Sequence, residues 1–182
     1  MARSTYSHML HDLGGAAWFG GTLANAGALN RAAASAKRPT DVGAVANAGW
    51  DAWTPVNAGA IGAHLVGSVG LLVHDLGRMK VQKGVGTMAL AKTALTVAAL
   101  GVTAYSRALG KRVSEHTEVP ASSGTEPAAA TPPDVAAAQR QLKVLQWAVP
   151  ALTGGIVAIA AYADEQYRPE EVSRGVIQRL LP

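Results

Sequence analysis

Four blocks of apolar residues, separated by polar segments, set the pattern of this chain. The most continuous block begins at Val56 and contains no Asp, Glu, Lys or Arg before Asp75. An α-helix rises about 1.5 Å per residue, so about 20 apolar residues cross the hydrocarbon core of a bilayer. The pattern therefore predicts an all-α fold, a single membrane domain built as a four-transmembrane-helix bundle, with spans over residues 13–30, 56–74, 84–106 and 144–163.

The segments between and after these blocks have distinct compositions. Residues 31–55 predict a short interfacial or re-entrant helix, with Trp50 and Trp53 at the level of an aromatic belt. Residues 107–131 are charged at first and then rich in Pro, Ala and Ser, which predicts a flexible loop between helices 3 and 4. A helix is expected to follow with Thr131 as its N-cap. Residues 164–182 predict an amphipathic C-terminal tail on the membrane surface.

Small residues recur at intervals of four within the first two blocks. Gly20, Ala24 and Ala28 share one helix face in the first block, and Gly59, Ala63 and Gly67 share one in the second. Small-xxx-small faces let two helix backbones approach closely in lipid. We therefore expect the first two spans to pack against each other through these faces.

Composition supports the membrane prediction. Hydrophobic residues make up 49% of the chain and charged residues only 15%, against about a quarter in a typical soluble domain. The net charge of +4 comes from basic residues near the ends of the apolar blocks, which suits lipid headgroups better than nucleic acid. Cysteine is absent, which excludes disulfides and thiolate ligands. Basic residues occur in nearly equal numbers on the two predicted sides of the membrane, so their distribution does not decide the orientation. The lack of a recognisable signal peptide favours a cytoplasmic N-terminus.

A His-Asp pair occurs twice, once at each of two predicted helix ends. Leu10-His11-Asp12-Leu13-Gly14 opens the first span, and Val73-His74-Asp75-Leu76-Gly77 closes the second. Antiparallel neighbours bring these ends to one membrane face, where we expect a polar cluster of His8, His11, Asp12, His74, Asp75, Lys92, Asp164 and Glu165. Capping and pairing at headgroup level explain such a cluster; the alternatives are haem ligation by His11 and His74, a divalent metal on His11, Asp12, His74 and Asp75, or proton relay.

Two ionisable residues lie deeper in the predicted spans. His64 is about ten residues, or about 15 Å, from His74, so it is expected near mid-bilayer and apart from the cluster. It is interpreted as an interhelical hydrogen-bonding group, with Asn25, Ser68 or Thr96 as partner, and alternatively as a quinone or haem contact. Lys92 either extends to the nearer interface or meets an acidic partner.

No motif specifies a reaction. A phosphate-binding glycine loop followed by Lys, HExxH and G-x-S-x-G are all absent from the sequence. The favoured interpretation is a non-catalytic accessory or binding subunit of a membrane complex, with other membrane subunits or further copies of itself as partners, no predicted cofactor and no nucleic acid. The alternatives are a haem- or quinone-linked redox subunit and a small transporter with Lys92 and Asp75 as an intramembrane ion pair.

Two resemblances add to this reading. The stretches NAGWDAWTPVNAGAIGAHLVG, AKTALTVAALGVTAYSR and TPPDVAAAQRQLKVLQWAVPALTG resemble a family of uncharacterised actinobacterial integral membrane proteins. That resemblance implies a four-helix, multi-pass protein of the bacterial cell membrane and brings no assigned activity. Ala17-Trp18-Phe19-Gly20-Gly21 is similar to the W-x-G-G opening of copper-resistance-D-like membrane domains. Copper handling is not carried over, because the chain has no Cys and four Met.

Overall fold

The computed structural model describes residues 4–116 and 119–180, and helices dominate this part of the chain. Helix α1, Thr5–Ala24, continues through a π-helical turn, Asn25–Leu29, into the short α2, Asn30–Ala33. The later helices are α3, Asp41–Val81, α4, Val85–Ser114, α5, Pro133–Glu165, and α6, Pro169–Leu180. Strands β1, Ala121–Ser123, and β2, Glu126–Pro127, form an antiparallel hairpin with an irregular register, pairing Ala121 with Pro127 and Ser123 with Glu126.

Three helices, α3, α4 and α5, are long and apolar enough to cross a membrane. This confirms the transmembrane prediction for the last three blocks at the level of length and composition. The first block is helical, but α1, which is rich in Gly and Ala, is not among the three.

The four long helices form an antiparallel bundle in which α1 packs on α3 and α5, and α4 packs on α5 and α3. One core runs through all four helices, from Trp18 and Ala60 to Ala99, Val149 and Ile156. The start of α1 therefore lies beside the end of α3, the start of α4 and the end of α5. We call this the histidine end of the bundle, and the other the hairpin end.

Close packing between α1 and α3 is present, and it uses the predicted Gly67 together with Gly14, which was not predicted. A Cβ added to Gly14 would lie 2.5 Å from both the Ala60 carbonyl oxygen and the His64 nitrogen, and one added to Gly67 would lie 2.3 Å from the His11 nitrogen. Gly20 and Gly59, which were expected in this interface, have nothing within 4 Å of such a Cβ. Each helix carries several small-residue faces, and helical spacing alone does not select the inward one.

Helix α3 begins much earlier than the predicted span. The expected separate interfacial helix over residues 31–55 is wrong, because α3 runs unbroken from Asp41 through Pro55. Contacts with the first helical segment hold α3 in place before the proline: Leu29 covers Gly49, and Trp53 covers Gly21. These contacts compensate for the one backbone hydrogen bond that a proline removes inside a helix.

The segment between α4 and α5 is more structured than its composition predicted. Helix α4 extends to Ser114, beyond the predicted end at residue 106, and the hairpin that follows packs on the bundle through buried Ala121 and Thr125. The Thr131 hydroxyl does not cap α5, which starts at Pro133; it donates to the Pro120 carbonyl at 2.6 Å.

The C-terminal tail forms the predicted helix, and α6 is held against the α3–α4 turn. Gly84 adopts φ +93° in that turn, a conformation that favours glycine. The Gln82 side chain lies so close to Gly175 of α6 that a Cβ there would be 2.7 Å from it. Arg78 and Gln82 also donate to the Gln166 carbonyl, at 2.9 and 3.0 Å, and so cap the end of α5.

Candidate functional site

Two buried histidines, not the repeated His-Asp pairs, form the centre of the histidine end. His11 is 3% exposed and His64 is 0% exposed. Their ring centroids are 4.5 Å apart, with the planes tilted by 40°. The expectation that His64 lies apart from the polar cluster is therefore wrong. The approach of α1 and α3 at Gly14 and Gly67 explains this placement, because it sets these two rings at the same level.

Both ring nitrogens of His64 are engaged. Nδ1 lies 3.0 Å from the His11 carbonyl oxygen, and Nε2 lies 3.2 Å from the Thr96 hydroxyl. A carbonyl oxygen only accepts, so Nδ1 carries the hydrogen and Nε2 is free to accept from Thr96 in the neutral tautomer. His64 thereby joins α1, α3 and α4 by hydrogen bonds. This agrees with the interhelical role predicted for it, and Thr96 was one of the three expected partners.

A second group of polar residues lies at the same end, where α1 starts and α5 ends. His11 Nδ1 is 2.6 Å from Asp12 Oδ1, and His8 Nδ1 is 3.5 Å from Asp164 Oδ1. One ligand atom from each of His8, Asp12 and Asp164 lies within 4.8 Å of the others. These three residues were part of the predicted polar cluster. Their donor set suits a divalent cation, although Asp12 is the only one of the three in the predicted metal set.

The second His-Asp pair does not join this group. His74 is exposed, about seven residues along α3 from the level of His11, which corresponds to about 10 Å. Asp75 instead accepts hydrogen bonds from Tyr167 at 2.6 Å and from Arg78 at 3.1 Å. Both pairs lie at the histidine end, as predicted, but α3 continues past the start of α1, so the two pairs are offset along the helix axis and do not share one set of contacts.

Asp75, Arg78 and Tyr167 form an anchor for the tail, and the Tyr167 ring also contacts His8, with the ring centroids 5.3 Å apart. The Arg78 guanidinium lies 3.8 Å from the centroid of the Tyr167 ring. The pKa of the Tyr167 hydroxyl is raised above its usual range. Burial is the larger cause, and the hydrogen bond to the Asp75 carboxylate is the second. This arrangement fixes the connection between α5 and α6. It was not predictable from the sequence, where the only indication is a Tyr in a charged tail.

Lys92 is half-buried in the first part of α4, toward the histidine end. Within residues 4–116 and 119–180 it forms no ion pair within 4.0 Å. Asp75, the partner proposed for Lys92 in the transporter alternative, is paired with Arg78 instead.

The hairpin end contains a cavity that the sequence did not indicate. It has a volume of about 350 Å³ and lies between α3, α4 and α5, beside the end of α1. Trp53 and Asn57 of α3 and Thr103 and Ser106 of α4 line it. The available signal was spacing: these polar residues are separated by four and three positions on two apolar helices. The sequence pattern predicted Trp53 at the level of an aromatic belt instead.

Comparison with protein families, curated proteins and solved structures found no match for this chain.

Proposed function

We propose that this chain is a four-span integral protein of the bacterial cell membrane that acts as a non-catalytic accessory or binding subunit. The bilayer assignment is supported by α3, α4 and α5. It is also supported by large apolar side chains that remain exposed on the outside of the bundle, among them Val66, Val69, Leu90, Val97 and Val144. Exposed apolar side chains along such helices are expected where the solvent is lipid.

Helix α1 is proposed as the fourth span because of what it packs against. It contains no Asp, Glu, Lys or Arg from Leu13 to Asn30, and Trp18 is fully buried against α3 and α5. A helix that lies antiparallel to two spanning helices along most of its length shares their depth in the bilayer. It is rich in Gly and Ala, which are frequent at helix interfaces in membranes.

One observation carries the subunit proposal: a small-residue face that runs from α1 into the π-helical turn points away from the bundle. Gly20, Ala24 and Ala28 are all exposed, and a Cβ on Gly20 would meet nothing within 4 Å. The close contacts inside the bundle use Gly14, Gly15 and Gly21 instead. We call Gly20, Ala24 and Ala28 the outer small-residue face. A transmembrane helix of another subunit is the occupant that such a face suits, because small residues allow close backbone approach in lipid.

The geometry of the histidine end favours a structural role over haem ligation. Axial ligation requires a free ring nitrogen on each histidine. Both nitrogens of His64 already face hydrogen-bond partners, and His74 is exposed away from His11. The hydrogen bonds of His64 instead fix the relative register of three helices.

In this arrangement, four spans place the N-terminus, the α3–α4 turn and α6 on one side of the membrane. We assign that side to the cytoplasm. Helix α6 lies at the membrane surface, with Val172 and Val176 half-buried, Ile177 exposed, and Arg174 between them.

The subunit proposal is tested by gentle purification from the native membrane, with mass determination in solution and identification of co-purifying chains by mass spectrometry. A stoichiometric second membrane protein is the expected result. Gly20→Leu and Ala24→Leu, made singly, should release that protein while the chain itself stays folded.

Ala98→Leu is the matched control, since Ala98 is an exposed small residue of α4 outside the proposed face. It should retain the partner. A monomeric protein that arrives alone contradicts the subunit proposal, and so does a partner that is retained by both leucine variants. Self-association through the same face would show as a multiple of the chain mass and would identify a homo-oligomer.

A further inference from the structure

Three side chains of the kinds that bind metals meet at the histidine end. His8 and Asp12 are four residues apart on α1, so they share one face of that helix, and Asp164 lies in the last turn of α5. One ligand atom from each lies within 4.8 Å of the other two. In the described part of the chain, this is the only group of three or more His, Asp or Glu side chains with such spacing. We call these three residues the histidine-end triad.

One distance within the triad is that of two ligands on one metal ion. His8 Nδ1 and Asp164 Oδ1 are 3.5 Å apart. An ordinary N–H···O hydrogen bond is shorter, at about 2.7–3.2 Å. Two ligands that each lie about 2.0–2.2 Å from a tetrahedral zinc ion are about 3.3–3.6 Å from each other. The spacing of these two atoms therefore leaves room for a shared cation.

The packing around the triad holds its side chains in place. The start of α1 lies against α3, where a Cβ on Gly67 would be 2.3 Å from the His11 nitrogen. The buried His11 ring donates from Nδ1 to Asp12 Oδ1 at 2.6 Å, because an ionised carboxylate only accepts. The His8 and Tyr167 rings meet edge to face, with their centroids 5.3 Å apart. Fixed ligands of this kind, with a hydrogen-bonded carboxylate among them, are what a metal site requires.

The charge of the triad matches a divalent cation. Asp12 and Asp164 contribute two negative charges, and a histidine that binds a metal is neutral. Among the described residues, neither carboxylate has a Lys or Arg nitrogen within 4.0 Å, and their partners at that distance are His11 and His8. Two carboxylates that share a site repel each other, and a cation between them removes that repulsion.

We propose that the histidine-end triad binds a divalent first-row transition cation such as Zn²⁺. One imidazole nitrogen and two carboxylate oxygens suit such an ion, whereas Mg²⁺ and Ca²⁺ prefer oxygen ligands alone. The side chains of His8, Asp12 and Asp164 are 26%, 43% and 49% exposed, so the ion reaches them from the aqueous side and water completes its coordination. The bound ion joins the first of the four long helices to the last. The site binds a cation, and no reaction is assigned to it.

The test is isothermal titration calorimetry with zinc chloride. The protein is placed in phosphatidylcholine nanodiscs, both protein and scaffold are free of histidine tags, and empty nanodiscs supply the blank. One saturable site per chain is expected. Mg²⁺ and Ca²⁺ should bind at least about tenfold more weakly than Zn²⁺, because neither ion favours the imidazole ligand.

Substitutions then identify the ligands. Asp164→Asn and His8→Gln each remove one ligand and should each lower the affinity for Zn²⁺ by at least about tenfold. Glu165→Gln is the matched control for Asp164→Asn, because it makes the same change of charge at the neighbouring residue, whose carboxylate pairs with Arg168. His74→Gln is the matched control for His8→Gln, because His74 is an exposed histidine of the same end outside the triad. Both controls should retain the affinity of the wild type.

A second measurement follows from the position of the triad between α1 and α5. An ion that binds only the folded chain stabilises it, so Zn²⁺ should raise the unfolding temperature of the wild type and of Glu165→Gln, but not that of Asp164→Asn. Circular dichroism without metal establishes that each variant is folded, and His8→Gln supplies a second ligand variant if Asp164→Asn unfolds.

Three results would overturn the proposal. One is the absence of saturable Zn²⁺ binding to the wild type. Another is an affinity that both Asp164→Asn and His8→Gln retain. The third is an equal loss of affinity in the variants of the triad and in their controls, which would show that Zn²⁺ binds to surface groups in general. None of these results bears on the subunit proposal, which concerns the outer small-residue face.

Discussion

The close approach of α1 and α3 gives the sharpest stability prediction. Replacing Gly14 with Ala places a methyl group 2.5 Å from the Ala60 carbonyl oxygen and from the His64 backbone nitrogen. Both are backbone atoms of α3, so a side-chain rotation does not relieve the overlap. The helices must move apart by about 1 Å to restore ordinary van der Waals contact of about 3.5 Å.

The cost has two parts. Overpacking of this kind costs about 1–3 kcal/mol. A shift of about 1 Å also lengthens the contact between His64 Nδ1 and the His11 carbonyl from 3.0 Å to beyond hydrogen-bonding distance, which leaves a buried donor unpaired at about 1–3 kcal/mol. We therefore expect Gly14→Ala to destabilise the protein by about 2–6 kcal/mol, against a gain of at most about 1 kcal/mol from the better helix propensity of Ala.

Unfolding by sodium dodecyl sulfate in mixed micelles, followed by circular dichroism, measures this loss. Gly20→Ala on the same helix is the control, because its methyl group meets nothing within 4 Å and should leave stability unchanged or slightly higher. Gly67→Ala on the facing helix should behave like Gly14→Ala. If Gly14→Ala and Gly20→Ala differ by less than about 0.5 kcal/mol, α1 and α3 do not pack at this distance and the reasoning fails.

Three further predictions concern other contacts. Thr96→Val removes the partner of His64 Nε2 and should cost about 1–3 kcal/mol in the same assay, whereas Thr96→Ser should retain most of the stability; equal losses would show that the hydroxyl does not matter. Folding raises the pKa of Tyr167, so its protonated hydroxyl stabilises the fold at pH values below the unfolded-state pKa of about 10. This stabilisation is lost only as pH rises through the higher pKa of the folded state. Absorbance at 295 nm at pH 11 should therefore count the same number of ionised tyrosines in wild type and Tyr167→Phe, and one fewer in the variant would refute the Asp75 contact. Asn30→Ala breaks the bonds to Trp50 at 3.1 Å and to Gln146 at 2.7 Å, and limited proteolysis should then cut the hairpin faster than in wild type; an unchanged cutting rate would mean that the hairpin is held independently.

The sequence predicted the three most apolar helices, because length and absence of charge are properties of a continuous stretch. It did not predict their ends. Helix α3 starts at Asp41 because Leu29 and Trp53 pack across the α1–α3 interface, and contacts between distant residues leave no local signal. The predicted boundary between the interfacial segment and the second span fell at Pro55, but α3 is continuous there because contacts with neighbouring helices stabilise it.

The histidine end shows the same limit at the level of a site. His11 and His74 share a five-residue motif, yet His11 contacts His64. The register between two antiparallel helices decides which residues meet, and a repeated motif contains no information about register. Polar character at the histidine end was predictable from composition. The cavity was not, because it exists only where four helices diverge.

The cap on α5 has a consequence for how the protein is assembled in the cell. The Gln166 carbonyl at the end of α5 accepts hydrogen bonds from Arg78 and Gln82. These two residues are synthesised more than 80 positions before it. The turn between α3 and α4 is thus synthesised with two donors whose acceptor does not yet exist. A chain that stops before Gln166 would leave the Arg78 guanidinium and the Gln82 amide without the carbonyl that both bond in the complete fold, so this turn reaches its final set of hydrogen bonds only after α5 is made.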